Sequence, residues 1–200
     1  MNKYLQSCKT EFWKNVFKAE LDYILQEIKG AKDVLSVGCG PAIIETGLAE
    51  YGFNVTGLDI SEQALAQAPD NIRTVAGSAE NTNFANSSFD AVLYVASMQF
   101  IEKYREAVRE TFRVLRPGGK LLAMLLNPES EFFKEKAGNP TSYINKMKHT
   151  SLRDIEKTIT EYFSVQTEYF LGIKDKGIFE SQNPDLASLY VIKGRMGNPG

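Results

Sequence analysis

The sequence predicts an α/β fold, a doubly wound and mainly parallel sheet with helices on both faces. Three observations predict it. Short apolar runs recur at 34–37, 55–60, 72–76, 89–95 and 120–126, each with the length of a buried strand. Segments with helical spacing of apolar residues separate them, and such alternation implies right-handed crossovers. The first run passes through Gly38-Cys39-Gly40-Pro41 straight into a helical pattern, and the second ends in Asp59. A strand, a glycine turn, a helix and a second strand ending in an acid are the parts of a nucleoside-binding site.

Each element follows in order. Phe12, Trp13, Val16, Phe17, Leu21, Ile24, Leu25 and Ile28 line one side of a helix, with Thr10 as its cap and Gly30 as its stop. After the strand 34–37, Gly38 and Gly40 allow a sharp turn and close backbone approach to a ligand. Pro41 suits a first helical turn, Ile43, Ile44 and Leu48 form the apolar stripe, and Gly52 ends it. The helix N-terminus favours an anionic group over the glycines. Ser61 caps a helix through Ala68, and Pro69 ends it.

The strand 72–76 follows, then 89–95, which is apolar on both faces and so central. Tyr104, Ala107, Val108, Thr111, Val114 and Leu115 line a helix, and Pro117-Gly118-Gly119 turns the chain into the strand 120–126. The region 127–150 is interrupted by Pro128, Gly138, Asn139 and Pro140, and holds two short aromatic-bearing segments, 131–137 and 142–147. Ser151 or Thr150 caps a helix through Tyr162. Runs 163–171 and 186–193 supply two last strands, and the glycine-rich tail from Gly194 is expected to fray.

Composition bounds the function. The 200 residues are 43% hydrophobic and 24% charged, enough for one domain over 1–200 with a sizeable core. The net charge of -2 gives no electrostatic footprint for nucleic acid. The longest apolar run, 121–126, is far too short to span a bilayer, and the N-terminus lacks the apolar core of a secretion signal. A cytoplasmic location is expected. Cys8 and Cys39 make no metal-spacing motif and read as reduced thiols, Cys39 as a small turn residue.

The glycine spacing narrows the ligand. A dinucleotide fingerprint would place a third glycine where Ile43 stands, and no Gly-Lys-Ser or Gly-Lys-Thr follows the turn as a phosphate loop requires. Asp59, nineteen residues beyond Gly40, offers a carboxylate that accepts protons from ribose hydroxyls.

Four motifs in order, VLSVGCGPA, GLDIS, GSAENTNFANSSFDAVLYV at 77–95 and RVLRPGGKL at 113–121, carry a family resemblance. The chain resembles the class I S-adenosylmethionine (SAM) dependent methyltransferases, in particular the small-molecule enzymes related to the ubiquinone and menaquinone C-methyltransferases. The resemblance covers about residues 31–126. It implies a Rossmann-like sheet of seven strands in the order 3-2-1-4-5-7-6, the last antiparallel. It also implies SAM as cofactor, S-adenosylhomocysteine as product and no metal, because a sulfonium methyl is already activated for in-line displacement.

By motif, the resemblance places Ser36, Gly38, Cys39 and Gly40 at the methionine part of the cofactor and Asp59 at its ribose. Ile60 would pack on adenine, Ser78, Ala79 and Glu80 border its edge, and Val95, Ala96 and Met98 lie beneath. Three positions depart from the family. Ser36 stands where an acid usually faces the cofactor's ammonium group, Ala42 replaces a third glycine, and Ser78 replaces an acid at the adenine. The methyl of Ala42 is tolerable if the backbone there is helical. Micromolar or weaker SAM binding is expected, since neutral hydrogen bonds are weaker than charged ones.

The resemblance divides the chain into a helical lid at 1–30, a cofactor core at 31–126, an acceptor-pocket insertion at 127–150, a C-terminal unit at 151–194 and a tail at 195–200. Tyr4, Phe12, Trp13 and Phe17 of the lid, with Phe132, Phe133, Tyr143 and Met147, suit a small apolar or aromatic methyl acceptor. The periodicity of the first helix equally fits simple packing on the sheet. His149 reads as a lone surface histidine rather than a base, and no catalytic residue is identified. The competing functions are a non-catalytic nucleoside-binding or regulatory protein of the same fold, and a nicotinamide-dependent oxidoreductase.

Overall fold

A computed structural model describes residues 10–197. Its strands are β1 (Asp33–Val37), β2 (Asn54–Asp59), β3 (Arg73–Ala76), β4 (Phe89–Val95), β5 (Leu115–Leu126), β6 (Ser164–Lys174), β7 (Gly177–Phe179) and β8 (Ala187–Arg195). They form one sheet in the order β3-β2-β1-β4-β5-β8-β6-β7. The pairings among β1 to β5 are parallel, and β8 runs antiparallel between β5 and β6. The expected order 3-2-1-4-5-7-6 therefore holds, with β8 as the seventh strand of that scheme. The additional β7 extends the edge by pairing with β6. Gly172 makes that pairing possible, because a Cβ there would lie 2.3 Å from the Phe179 ring.

Among the described residues, six α-helices cover the sheet: α1 (Glu11–Glu27), α2 (Ile43–Glu50), α3 (Glu62–Leu65), α4 (Tyr104–Val114), α5 (Glu131–Ala137) and α6 (Leu152–Thr160). Strand alternation divides the core in two. Leu35 and Val37 of β1 join Val92, Val108, Ile155 and Ile159 on the side of α4 and α6. Val34 instead joins Val16, Ile24, Ile44, Leu48 and Leu93 on the side of α1 and α2. Ser36, two residues from Val34, points to this second side. Burial of about 25 cal/mol per Å² of apolar surface on both faces is what fixes the strand register.

Local chemistry sets the helix ends. The Thr10 hydroxyl accepts from the Trp13 amide at 3.5 Å, and Ser61, Ser130 and Ser151 cap α3, α5 and α6 in the same way. Four sequence expectations need correction. α3 stops at Leu65 instead of Ala68, since it buries no residue and has nothing to prolong it. β5 begins at Leu115, and Pro117-Gly118-Gly119 forms an irregularity inside it, with the register against β4 shifting between Phe89 and Ala91. The start is held by Arg116, which pairs with Asp33 at 2.8 Å and Asp90 at 2.7 Å. The tail does not fray at Gly194: Gly194 and Arg195 lie in β8, and the Met196 amide bonds the Gly119 carbonyl at 3.0 Å. Ala42 is not helical but left-handed, with φ of 58°.

Candidate functional site

The sheet order reverses between β1 and β4, so the loops that follow these strands meet in a crevice at their carboxyl ends. They are joined directly. The Ser97 hydroxyl donates to the Val37 carbonyl at 2.6 Å, and a Cβ on Gly38 would lie 2.5 Å from the Ser97 Cβ. Gly38 also has φ of 74°, so both space and backbone require glycine there. Its amide donates to the Leu58 carbonyl of β2 at 2.7 Å, which bends the turn over the next strand.

Asp59 completes the turn. Its Oδ2 accepts from the Gly40 amide at 2.8 Å and its Oδ1 from the Ser61 amide at 2.8 Å. The protein's own carboxylate thus supplies the anion that the glycine turn attracts, contrary to the expectation of an anionic ligand group there. A second carboxylate lies beside it. Glu45, in the first turn of α2 and only 2% exposed, accepts a short hydrogen bond from the Ser36 hydroxyl. Burial raises its carboxyl to about 7, with Asp59 adding to the rise and Ser36 opposing it. Cys39 shares this environment. Burial, then Glu45 and Asp59, push its thiol far up, so it remains protonated and is a poor nucleophile.

The other expected positions fall into two groups. Ile60 is 80% exposed beside Asp59, an uncommon state for isoleucine, and it is not ordinary core. Ser78 and Ala79 are half buried after β3, and Ala96, with φ of 48°, donates its amide to Met124 at 2.8 Å. Val95 is half buried at the end of β4. By contrast, Met98 is wholly buried in the core on the α4 side. Glu80 is occupied elsewhere, accepting the Lys103 amide at 3.0 Å and so capping α4.

The insertion folds back toward the crevice. Its aromatic segments become α5 and a single 3-10 turn at Tyr143–Lys146. Tyr143 stacks on Phe100, with centroids 4.5 Å apart, and burial and the Asp59 charge both raise its hydroxyl. Phe132 of α5 meets Phe12 and Trp13 of α1, each at 6.4 Å. Helix α1 and the insertion are therefore in contact, and α1 also packs on the sheet core, as its periodicity suggests. Tyr4 and Cys8 lie outside the described residues.

Sequence reasoning missed two anchors here. Gln99, fully buried, mimics a strand partner: its Nε2 donates to the Leu126 carbonyl at 3.0 Å and its Oε1 accepts the Leu126 amide at 2.7 Å. Its own carbonyl accepts the Lys148 and His149 amides, tying the end of the insertion to the crevice. His149 is not a lone surface residue. Its Nε2 sits 3.0 Å from the carbonyls of both Ile101 and Glu102, with its ring edge-on to Tyr104. Neither role has a local sequence signal. Glu45 had one: an acid on the buried stripe of α2, nine residues after a strand serine.

Among the described residues, no three His, Cys, Asp or Glu side chains are grouped as a metal site requires, and no helix is long and apolar enough to cross a membrane.

Comparison with known proteins bears on the fold. Residues 35–123 match a family described as a methyltransferase domain. The chain is 37% identical over 102 residues to a malonyl-[acyl-carrier protein] O-methyltransferase of Enterobacter lignolyticus, covering 48% of this chain and 40% of that protein. It is 31% identical over 150 residues to a ubiquinone biosynthesis O-methyltransferase of Erwinia tasmaniensis, covering 70% and 61%. The chain thus spans 40% to 61% of the length of these curated relatives. In structure it resembles a SAM-dependent methyltransferase of Archaeoglobus fulgidus, with a TM-score of 0.77, 17% identity, and coverage of 97% of this chain and 100% of that one.

Sheet order and structural likeness together define the Rossmann-like fold of methyltransferases. Residues 35–123 thus carry the match to the methyltransferase domain, and the chain as a whole is similar to class I SAM-dependent methyltransferases.

Proposed function

We propose that this chain transfers the methyl group of SAM to a small-molecule acceptor. The observation that carries the reading is the pairing of Gly40 with Asp59: a glycine turn whose positive amides already meet a carboxylate disfavours a pyrophosphate and suits a nucleoside carrying positive charge. The residues fit that group. Asp59 retains free lone pairs on both oxygens for ribose hydroxyls. Ile60 offers an exposed apolar surface to a base, and the half-buried Ser78 and Ala79 after β3 and Val95 and Ala96 at the end of β4 are assigned to the same base. Gly38, Cys39 and Gly40 lie against the methionine part. Glu80 and Met98 support these loops from behind, through the cap of α4 and the core.

When bound, the cofactor supplies an activated methyl group. The chain's task is to align the acceptor and exclude water. α1 and the insertion suit this, because Phe12, Trp13 and Phe132 make an apolar wall and Tyr143 with Phe100 makes another near Asp59. The acceptor is accordingly a small apolar or aromatic molecule. Two of the relatives named above are O-methyltransferases, one of a malonyl-[acyl-carrier protein] and one of ubiquinone biosynthesis, which supports methyl transfer as the class of reaction.

Calorimetric titration with SAM, S-adenosylhomocysteine and NAD tests the reading. Binding of SAM and S-adenosylhomocysteine, lost in Asp59→Ala, is expected. Binding of S-adenosylhomocysteine alone would favour a non-catalytic nucleoside binder, and binding of NAD alone would overturn the proposal.

A further inference from the structure

Glu45 has no task in the function proposed above, yet its surroundings are unusual. It is buried to 2% exposure at the first turn of α2, where its carboxylate meets Ser36 beneath the glycine turn. Both Glu45 and Asp59 act electrostatically on Cys39, and Asp59 acts on Glu45, so two carboxylates flank one turn. Neither belongs to any ion pair among the described residues. A buried carboxylate lacking a counter-charge costs free energy, which a cation arriving at the site would recover. Asp59 has the backbone amides of Gly40 and Ser61, whereas Glu45 has the Ser36 hydroxyl and its own backbone amide.

We infer that Glu45 is the carboxylate that receives the cationic ammonium end of the ligand held at the glycine turn, with Ser36 fixing its orientation. This rests on the SAM reading, since the ammonium is that of the cofactor's amino-acid end. The strand position closest to this end is Ser36, which carries no charge. The Glu45 carboxylate lies against the Ser36 hydroxyl, so the helix supplies the acid that the strand lacks. The small side chain at 36 and the acid at 45 are therefore a matched pair. Loss of the acid from the strand then implies no loss of charge from the site.

Titrations of the full chain with three ligands test the assignment: SAM, S-adenosylhomocysteine and 5′-methylthioadenosine, the last a nucleoside thioether without an ammonium. Glu45→Gln is expected to weaken the first two about tenfold or more, in line with a charged hydrogen bond. It should leave 5′-methylthioadenosine unchanged. The swap Ser36→Asp with Glu45→Ser, which returns a carboxylate to the same space from the strand, should restore most of the loss. Unchanged affinity for all three in Glu45→Gln would overturn the inference, as would equal loss of all three, which would make Glu45 a support of the turn. A wild-type chain that binds only 5′-methylthioadenosine would also overturn it while leaving the nucleoside site intact. Failure of the wild type to bind any of the three would instead overturn the functional reading beneath it.

Discussion

The Gly40 amide donates to the Asp59 carboxylate at 2.8 Å, joining the turn after β1 to the end of β2. This one bond links the two sequence motifs that lie nineteen residues apart. It also sets the sign of the site, since the turn's positive amides face a negative charge built into the fold.

Asp59→Asn should therefore impair both folding and binding. One side of an amide is a donor, so it cannot accept from both Gly40 and Ser61. Leaving one backbone amide unpaired costs about 1–3 kcal/mol. Urea unfolding checks the stability, and SAM affinity should fall by about a hundredfold, since a charged acceptor for the ribose is lost as well.

Gly38→Ala should be among the most damaging single changes in the chain. The new methyl would lie 2.5 Å from the Ser97 Cβ at a φ of 74°. Left-handed strain and overpacking together cost about 3 kcal/mol. Adding Ser97→Gly removes the clash but not the strain, so it should recover only part of the stability in equilibrium unfolding.

Ala42→Gly should act in the opposite direction. Ala42 is fully buried and left-handed at φ of 58°, a conformation that costs alanine about 1 kcal/mol and glycine almost none. The variant is expected to gain somewhat less than this, because glycine also makes the unfolded chain more flexible. A higher urea midpoint with unchanged slope is the expected result.

The pH dependence of stability follows from two buried acids. Burial raises Glu20 to about 8 and Glu45 to about 7, against unfolded values near 4.5. Between these limits the native chain holds more protons than the unfolded chain, so both contributions are complete at low pH and are lost as pH rises. The expected slope is about 1.4 kcal/mol per pH unit for each group from pH 5 toward 7. Glu20, which lies on α1 between Val16 and Ile24 with no hydrogen bond, continues to pH 8. Glu20→Met should flatten the profile and stabilise the protein at pH 8. Denaturant unfolding at pH 5, 6, 7 and 8 measures it, and a rising profile would contradict the assignment.

Much of the fold was legible because its signals are local. The spacing from Phe12 to Ile28 gave α1, the doubly apolar run at 89–95 gave a central strand, and the order of motifs gave the order of strands. Where local signals were weak, the reading failed. Three residues sufficed for β7 because Gly172 admits the Phe179 ring, and nothing in the run Gly177-Ile178-Phe179 announces this. The turn at Pro117 lies within a strand because Arg116 is anchored across the sheet to Asp33 and Asp90.

The sequence by itself determined the class of fold, the glycine turn and the acid that ends β2, because each depends on residues close together in the chain. Only the tertiary structure decided the charge of the site. Ser36 alone reads as a missing acid, and Glu45 alone as a helix acid. Their contact across β1 and α2, buried where solvent cannot screen it, makes them one feature. The same holds for Gln99 and His149, whose partners lie tens of residues away. Packing brings such groups together, and no periodicity records which groups it will bring.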